Sequence, residues 1–416
     1  MLYLIKTKKV ISILIFSTIT SFLFFNSFYA LAQGKLSGKV IEKVSGKPVA
    51  NATVFLNNQT IATKTDDEGV FKLQNIAFGA CRLVVSCVGF ETYYRDITLS
   101  SDVQNQINIE LNVKSMVLKE VKIQSTNSEV YKRNLQWFKD GFLGKTDLAG
   151  KCKILNPEVL DMIYYKKSDS LLVNSNDFVQ IENDALGYNV KFLLVNFIRT
   201  NEGRNISYNG PVLFENLQGT PSQEKRWKKK RKDVYEGSSM HFFRSAVGNT
   251  LDEAGFRIFQ FSIYNNLNRP PDSVVRAKIA QFSKLSKIDI NKYIDSLEYW
   301  REMAYSQRIV RTLLNYPLNE NEFIKFTNNK GVFALDCEKD GLFIVYNKSH
   351  HFKKYYNLDL LLSPKNDSET LVNFSDKLAL FDNRGWILDP TSLYLTGAWG
   401  MYRVAGLLPT DYDPNQ

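Results

Sequence analysis

Histidine is scarce in this chain of 416 residues: there are three, His241, His350 and His351. Zinc peptidase chemistry needs closely spaced ligands of the H-x-x-E or H-E-x-x-H type. The chain instead reads His241-Phe242-Phe243-Arg244 and His350-His351-Phe352-Lys353, so neither spacing occurs. His350 and His351 are also adjacent, and adjacent strand residues face opposite ways, which argues against a paired metal site. Cysteine is sparse as well, with Cys81, Cys87, Cys152 and Cys337 and no C-x-x-C. That absence argues against a zinc ribbon and against a thioredoxin-like redox motif. No repeat at a solenoid period is present.

What remains is an ordinary globular composition. Hydrophobic residues make up 44% and charged residues 23%, which excludes a disordered chain. The length suffices for two or three domains with their own cores. Aromatic residues reach 13%, including 28 Phe and 21 Tyr. Such a share suits β-rich packing and an exposed recognition surface. The formal net charge is +10.

The first residues read as an export leader. Lys6, Lys8 and Lys9 form a positive region, and Val10 to Phe25 is an almost uncharged apolar run. Ala30-Leu31-Ala32 then places small residues where a signal peptidase cuts. A retained membrane helix is the alternative, since Val10 to Ala32 is long enough to span a bilayer. The Ala-x-Ala ending and the interruption at Asn26-Ser27 favour cleavage after Ala32. No cysteine stands near that point, so no lipid anchor is expected, and the mature chain is expected to have no transmembrane segment. Without the three leader lysines the net charge is +7, because the leader holds no acid.

Residues 33–112 break into about seven short strand-like runs: Leu36 to Glu42, Ala52 to Leu56, Ile61 to Thr65, Val70 to Leu73, Cys81 to Val88, Thr92 to Leu99 and Gln106 to Leu111. Asn57-Asn58 gives a hairpin signal, and Asp66-Asp67-Glu68-Gly69 a further turn. Seven strands in so few residues predict a two-sheet sandwich. The residues Gly38-Lys39-Val40, Gly46-Lys47-Pro48-Val49-Ala50-Asn51-Ala52-Thr53-Val54, Thr65-Asp66-Asp67-Glu68-Gly69-Val70-Phe71 and Leu83 to Glu91 carry a family pattern. They resemble the carboxypeptidase-regulatory-like domain, a prealbumin-like (transthyretin-like) β-sandwich. The resemblance implies an accessory module, often found ahead of outer-membrane receptor barrels in Bacteroidetes-type bacteria. Any carboxypeptidase association belongs to that accessory role, since the zinc ligand spacings are missing. Asp66, Asp67 and Glu68 read as turn formers, because three successive acids cannot all face one calcium ion.

Residues 113–128 form a polar linker containing Val117-Leu118-Lys119-Glu120-Val121. A similar stretch precedes plug and barrel in the receptors just named, but no Gly-rich plug follows here. The remaining chain is too short for a barrel of twenty-two strands. Residues 129–416 read as one α+β domain with a helical insert. Glu129 to Phe142 is an amphipathic helix. Leu171 to Val173, Phe178 to Ile181 and Val190 to Ile198 are strand-like. Helices are predicted over Gln223 to Tyr235, Met240 to Ala254, Ser273 to Phe282 and Asp289 to Ala304. Strands return at Val332 to Leu335, Leu342 to Tyr346, Leu358 to Leu362, Thr370 to Phe374 and Trp386 to Leu388. Motifs such as Leu186-Gly187-Tyr188, the Trp227–Phe243 stretch and Leu408-Pro409-x-Asp411-Tyr412-x-Pro414 resemble uncharacterised exported Bacteroidetes proteins with the same leading sandwich. That resemblance brings no activity with it.

Two places carry candidate chemistry. Lys225, Arg226, Lys228, Lys229, Lys230, Arg231 and Lys232 surround Trp227, and Trp227, Arg231 and Tyr235 share one helical face. Such clusters neutralise phosphates, but export argues against nucleic acid as the partner. A solvated face or an anionic envelope partner remains: lipopolysaccharide, phospholipid headgroups or acidic glycan. The second place is Ser238, Ser239 and His241, where a hydroxyl lies near an imidazole at a helix start. The spacing is not that of a G-x-S-x-G nucleophile elbow, and the serines already serve as caps. For Cys152 and Cys337 both a disulfide and two free thiols are open readings. No cofactor is implied. The leading expectation is a non-enzymatic binding or scaffolding protein, periplasmic or peripheral at the outer membrane, holding an envelope protein or an anionic component. The alternative is an envelope glycan or peptide hydrolase with its chemistry near His241.

Overall fold

Turn chemistry opens the fold. Asp66 Oδ1 accepts from the Val70 N–H at 2.7 Å, and Gly69 adopts φ 74°, so the acidic triplet closes a tight turn. The computed structural model describes residues 33–99, 106–114, 129–306, 309–314, 316–351, 359–360, 368–375 and 378–415. The leader 1–32 and most of the linker lie outside the described residues.

The first seven strands are β1 (Gln33–Glu42), β2 (Thr53–Leu56), β3 (Ala62–Lys64), β4 (Val70–Ala77), β5 (Gly79–Ser86), β6 (Tyr93–Leu99) and β7 (Gln106–Leu111). They form two sheets, β4-β1-β7 and β3-β2-β5-β6. Strand β1 pairs antiparallel with β4 and parallel with β7. Leu36, Val40, Phe71, Leu73 and Ile109 from one sheet bury against Val54, Leu56, Leu83 and Val85 from the other. The N-terminal unit is therefore the predicted β-sandwich, with sheets of three and four strands.

One detail breaks the alternation expected of a sandwich strand. Phe55 and Val84 point away from the sandwich core, yet both are fully buried. They pack with Leu213 and Phe178 of the next unit. Backbone pairing reinforces this contact: the Asn58 N–H donates to Val212 O at 2.7 Å, and the Phe214 N–H donates to Gln59 O at 3.1 Å. Asn57 Oδ1 accepts from the Val212 N–H at 2.9 Å. The hairpin tip thus adds a short parallel bridge to a neighbouring sheet.

That neighbouring unit begins with α1 (Glu129–Phe142), at the predicted bounds. Strands β8 (Cys152–Ile154), β9 (Leu160–Tyr165), β10 (Ser170–Ser175), β11 (Val179–Asn183), β12 (Tyr188–Phe192), β13 (Asn196–Thr200), β14 (Asn205–Asn209) and β15 (Val212–Asn216) follow. They make two four-stranded antiparallel sheets, β14-β13-β10-β9 and β15-β12-β11-β8. Phe138 and Phe142 of α1 stack at 4.8 Å and meet Phe197, Phe192 and Tyr208 edge-on. The expected single strand Val190 to Ile198 is in fact a corner. The chain leaves β12 in one sheet and enters β13 in the other, with Leu194 fully buried at the bend. A buried corner needs apolar residues, so it carries no polar turn signal.

Helices α2 (Pro221–Tyr235) and α3 (Ser239–Val247) come next. Helix α3 stops well short of the predicted Ala254, because Gly248 caps it and Asn249 turns into the left-handed region at φ 54°. Strand β16 (Phe256–Asn265) then runs through the middle of a six-stranded sheet, and helices α4 (Asp272–Leu285) and α5 (Ile290–Tyr305) form a hairpin. The remaining strands are β17 (Ile309–Leu313), β18 (Ile324–Phe326), β19 (Val332–Asp336), β20 (Gly341–Tyr346), β21 (Asp359–Leu360), β22 (Glu369–Phe374), β23 (Leu378–Asp382) and β24 (Leu393–Gly397), with short helices α6 (Glu320–Phe323) and α7 (Ala398–Tyr402). The large sheet has the order β21-β17-β16-β20-β22-β24, and β18-β19-β23 form a second. Trp386 to Leu388, read as a strand, makes a single bridge from Ile387 to Phe381 and a turn at Gly385, φ 83°.

Residues 129–416 are thus an α+β region, as expected, built around separate apolar clusters. One gathers α1 and β8–β15, and the C-terminal tail returns to it through Val404, Ala405 and Leu408. Another gathers α3, β16, β19, β20 and β23.

Candidate functional site

The basic helix α2 is set by its first turn. Thr220 and Gln223 form a reciprocal capping box, and Pro221 occupies the first helical position. Helical periodicity then divides the basic cluster. Trp227 is 3% exposed and its indole N–H donates to Asp184 O at 2.7 Å. Arg231 faces the same way: Nε donates to Leu186 O at 2.6 Å and Nη2 to Gly187 O at 3.0 Å. Its guanidinium lies 3.9 Å from the centroid of the Tyr188 ring. Tyr235 and Val234 complete the inner face. Gly187 makes this approach feasible, because a Cβ there would lie 2.3 Å from Trp227 Cδ2. The Leu186-Gly187-Tyr188 motif is therefore the seat of α2.

The outer face is different. Lys225, Lys228, Lys229, Lys230 and Lys232 are all exposed. Among the described residues none of the five has an ion-pair partner, whereas Arg226 pairs with Asp184 at 3.2 Å. Three members of the predicted binding set, the buried Trp227 and Tyr235 and the half-buried Arg231, are thus anchors on the inner face, and the five lysines are the free surface of the helix.

At the end of α2 the chain turns through Gly237, φ 78°, into α3. Ser238 is the cap: its Oγ accepts from the His241 N–H at 3.1 Å. Ser239 is the first residue of α3. The His241 ring sits among Tyr235, Phe256 and Tyr346, with centroids 4.9, 5.1 and 5.8 Å away. Its Nδ1 accepts from the Gly237 N–H at 3.1 Å. Burial depresses its pKa; Arg244 and Lys348 act in the same direction and Glu236 opposes them. A neutral imidazole whose Nδ1 accepts must carry its proton on Nε2. Neither nitrogen is then a base for a serine hydroxyl, and Ser238 is engaged with backbone.

Contacts that the sequence did not reveal tie this region together. Arg244 donates from Nε to Arg384 O, from Nη1 to Tyr412 O and from Nη2 to Thr410 O, each at 2.9 Å. Arg384 in turn donates to Ala77 O of the sandwich at 2.8 Å. The Thr410 N–H donates to Asn58 O, and the Asp411 carboxylate accepts from the Thr60 N–H and hydroxyl. The C-terminal tail is therefore a clasp between the sandwich and the α+β region. Asp382, 6% exposed, accepts from the N–H groups of Arg384 and Trp386, and burial raises its pKa.

All four cysteines are free thiols. Cys152 lies beside the cluster around α1, and Cys337 belongs to the cluster around β16, so the Cys152–Cys337 disulfide reading is replaced by the free-thiol one. Burial pushes the Cys81 thiol up to about 11 and the Cys152 thiol to about 12. Among the described residues no three His, Cys, Asp or Glu side chains gather as a metal site. An open cleft of about 320 Å³ is lined by Asn265, Asn266, Arg269, Pro270, Pro271 and Asp272. It holds an Arg269–Asp272 ion pair at 2.7 Å but neither histidine nor cysteine.

The CarboxypepD_reg-like domain family matches residues 36–123, and the N-terminal sandwich is such a domain. No curated protein matches the chain. Among solved structures, the pilus 2b backbone protein of group B streptococcus is 15% identical over 20% of this chain, with a TM-score of 0.18. The matched part spans 42% of that protein's length. A protein of unknown function from Bacteroides fragilis NCTC 9343 aligns over 88% of this chain and 93% of its own, at 11% identity and a TM-score of 0.16. Neither superposition is close enough to bear on function. No helix among the described residues is long and apolar enough to cross a membrane.

Proposed function

We propose that this chain is an exported cell-envelope binding protein without catalytic activity, and that the outer face of α2 holds an anionic envelope component. The observation that carries this reading is the division of α2. Its inner face is fixed by Trp227, Arg231 and Tyr235, which leaves a rigid shelf of five unpaired lysines. Like charges three and four residues apart repel by about 0.2–0.5 kcal/mol per pair. Lys225–Lys228, Lys225–Lys229, Lys228–Lys232 and Lys229–Lys232 are such pairs, so the face costs the free protein stability that an anionic partner would return. The sandwich supports the same reading as a firmly docked part of the scaffold, clasped by Asp411 and Arg384. The capped and packed state of Ser238 and His241 favours binding over hydrolysis.

The test is direct binding of the mature chain to immobilised lipopolysaccharide, anionic phospholipid vesicles and an acidic polysaccharide. Replacing Lys225, Lys228, Lys229, Lys230 and Lys232 by Glu should abolish binding to the ligand recognised. Equal binding by the reversed protein, or none by the wild type to all three, would sink the reading.

A further inference from the structure

Helices α4 and α5 form a hairpin that contributes little to any core. Each has a single buried residue, Val275 in the first turn of α4 and Leu297 midway along α5. Phe282 and Tyr293 hold the two helices together, with ring centroids 6.4 Å apart. Beyond them every residue from Lys287 to Lys292 is exposed. This end of the hairpin displays Ile288 at 82% and Ile290 at 60% exposure. A helix turn meant only for water has no need of two exposed isoleucines, since burial of such side chains is favourable.

The charges around them are mostly basic. Lys284, Lys287 and Lys292 flank the isoleucines and are exposed, and among the described residues none has an ion-pair partner. Asp289 is the one acid of the turn, and its carboxylate is committed to capping α5 by accepting from the Lys292 N–H at 3.2 Å. The other acids of α5, Asp295, Glu298 and Glu302, come only after its first turn. A projecting apolar tip ringed by lysines is complementary to one surface above others. Isoleucine enters the acyl boundary while lysine ammonium groups meet anionic headgroups.

We propose that the α4–α5 turn is a wedge that docks this protein onto an anionic phospholipid surface. The occupant is the bilayer itself, and the proposal does not depend on what the lysine face of α2 holds. Each lysine near an anionic surface strengthens binding roughly fivefold, so three contribute on the order of 100-fold at low salt.

The experiment is vesicle co-sedimentation of the mature chain. One vesicle set contains phosphatidylethanolamine with phosphatidylglycerol, and the other phosphatidylcholine alone. The wild type should bind the anionic set and leave the neutral set in solution. K284E/K287E/K292E, which adds repulsion to the lost attraction, should lose more than about 100-fold, and I288S/I290S at least several-fold. All five positions are exposed, and an unchanged unfolding midpoint will show that both variants are folded. Binding by either variant equal to wild type overturns the wedge, as does absence of wild-type binding. A concentration-dependent dimer lost in I288S/I290S also overturns it, because the tip would then meet a second copy. The Lys→Glu form of α2 is run in parallel. Loss of vesicle binding there alone would move lipid contact to α2 and refute the hairpin proposal only.

Discussion

Arg231→Ala should be among the most damaging single changes in the basic helix, although the residue looks like one more member of a solvated charge run. The wild-type guanidinium donates to two main-chain carbonyls, Leu186 O and Gly187 O, and lies over the Tyr188 ring. Hydrogen bonds from a charged donor contribute about 1.5–3 kcal/mol each, and a guanidinium over an aromatic face about 0.5–2 kcal/mol. The site is only half-buried, so water recovers part of the loss. A destabilisation of about 3 kcal/mol is expected. Arg231→Lys keeps the charge but not the fork, and should cost about half as much. Lys229→Ala, on the outer face, should change stability by less than about 0.5 kcal/mol. Urea unfolding followed by tryptophan fluorescence measures all three, with Trp227 as a local reporter. If Arg231→Ala and Lys229→Ala unfold at the same midpoint, the division of α2 into an anchored and a free face is wrong.

Three further outcomes follow from the same geometry. The folded pKa of His241 is depressed below 6.5, so its stabilising contribution is present above pH 6.5 and is lost as pH falls towards the folded value. His241→Gln should flatten that loss in urea midpoints measured between pH 8 and pH 5.5; an unchanged profile would refute the assignment. Free Cys152 and Cys337 predict that a reducing agent leaves the thermal midpoint unchanged, whereas a fall of several degrees would reveal a bridge between them. Asp411→Ala removes the acceptor for the Thr60 N–H and hydroxyl, and should speed amide exchange at Thr60 and its neighbours while leaving the sandwich core protected. Unaltered exchange at Thr60 would show that the clasp does not hold the hairpin tip.

The local signals that the sequence carries well are those tied to turn and cap chemistry. Gly69, Asp66 and Ser238 do what their types suggest, and the amphipathic pattern of α1 marks its ends correctly. What the sequence hides is governed by residues on both sides of an element. Strand β16 lies in the middle of a sheet covered on both faces, so Phe256 to Ser262 lacks a polar face that would mark it as a strand. The corner at Leu193–Val195 is apolar, with Leu193 and Leu194 buried, and reads as continuous strand. The candidate site shows the same limit. The face shared by Trp227, Arg231 and Tyr235 was legible from helical spacing, but nothing in the spacing said that it points inward. That depends on Gly187, forty residues upstream in another element. Arg244 and Arg384 were invisible for a similar reason, since an arginine whose partners are distant carbonyls leaves no pattern in its own neighbourhood.

The most direct test is the binding of the mature chain, carrying I288S/I290S to silence the α4–α5 tip, to isolated envelope fragments at 50 and 300 mM NaCl, with and without reversal of Lys225, Lys228, Lys229, Lys230 and Lys232 to Glu. In that tip-silenced chain, binding with the five lysines in place should be strong at low salt and weaken steeply at high salt, and the reversed form should keep its stability but lose binding at both. Salt-independent binding, or retention of binding after reversal, would contradict the account.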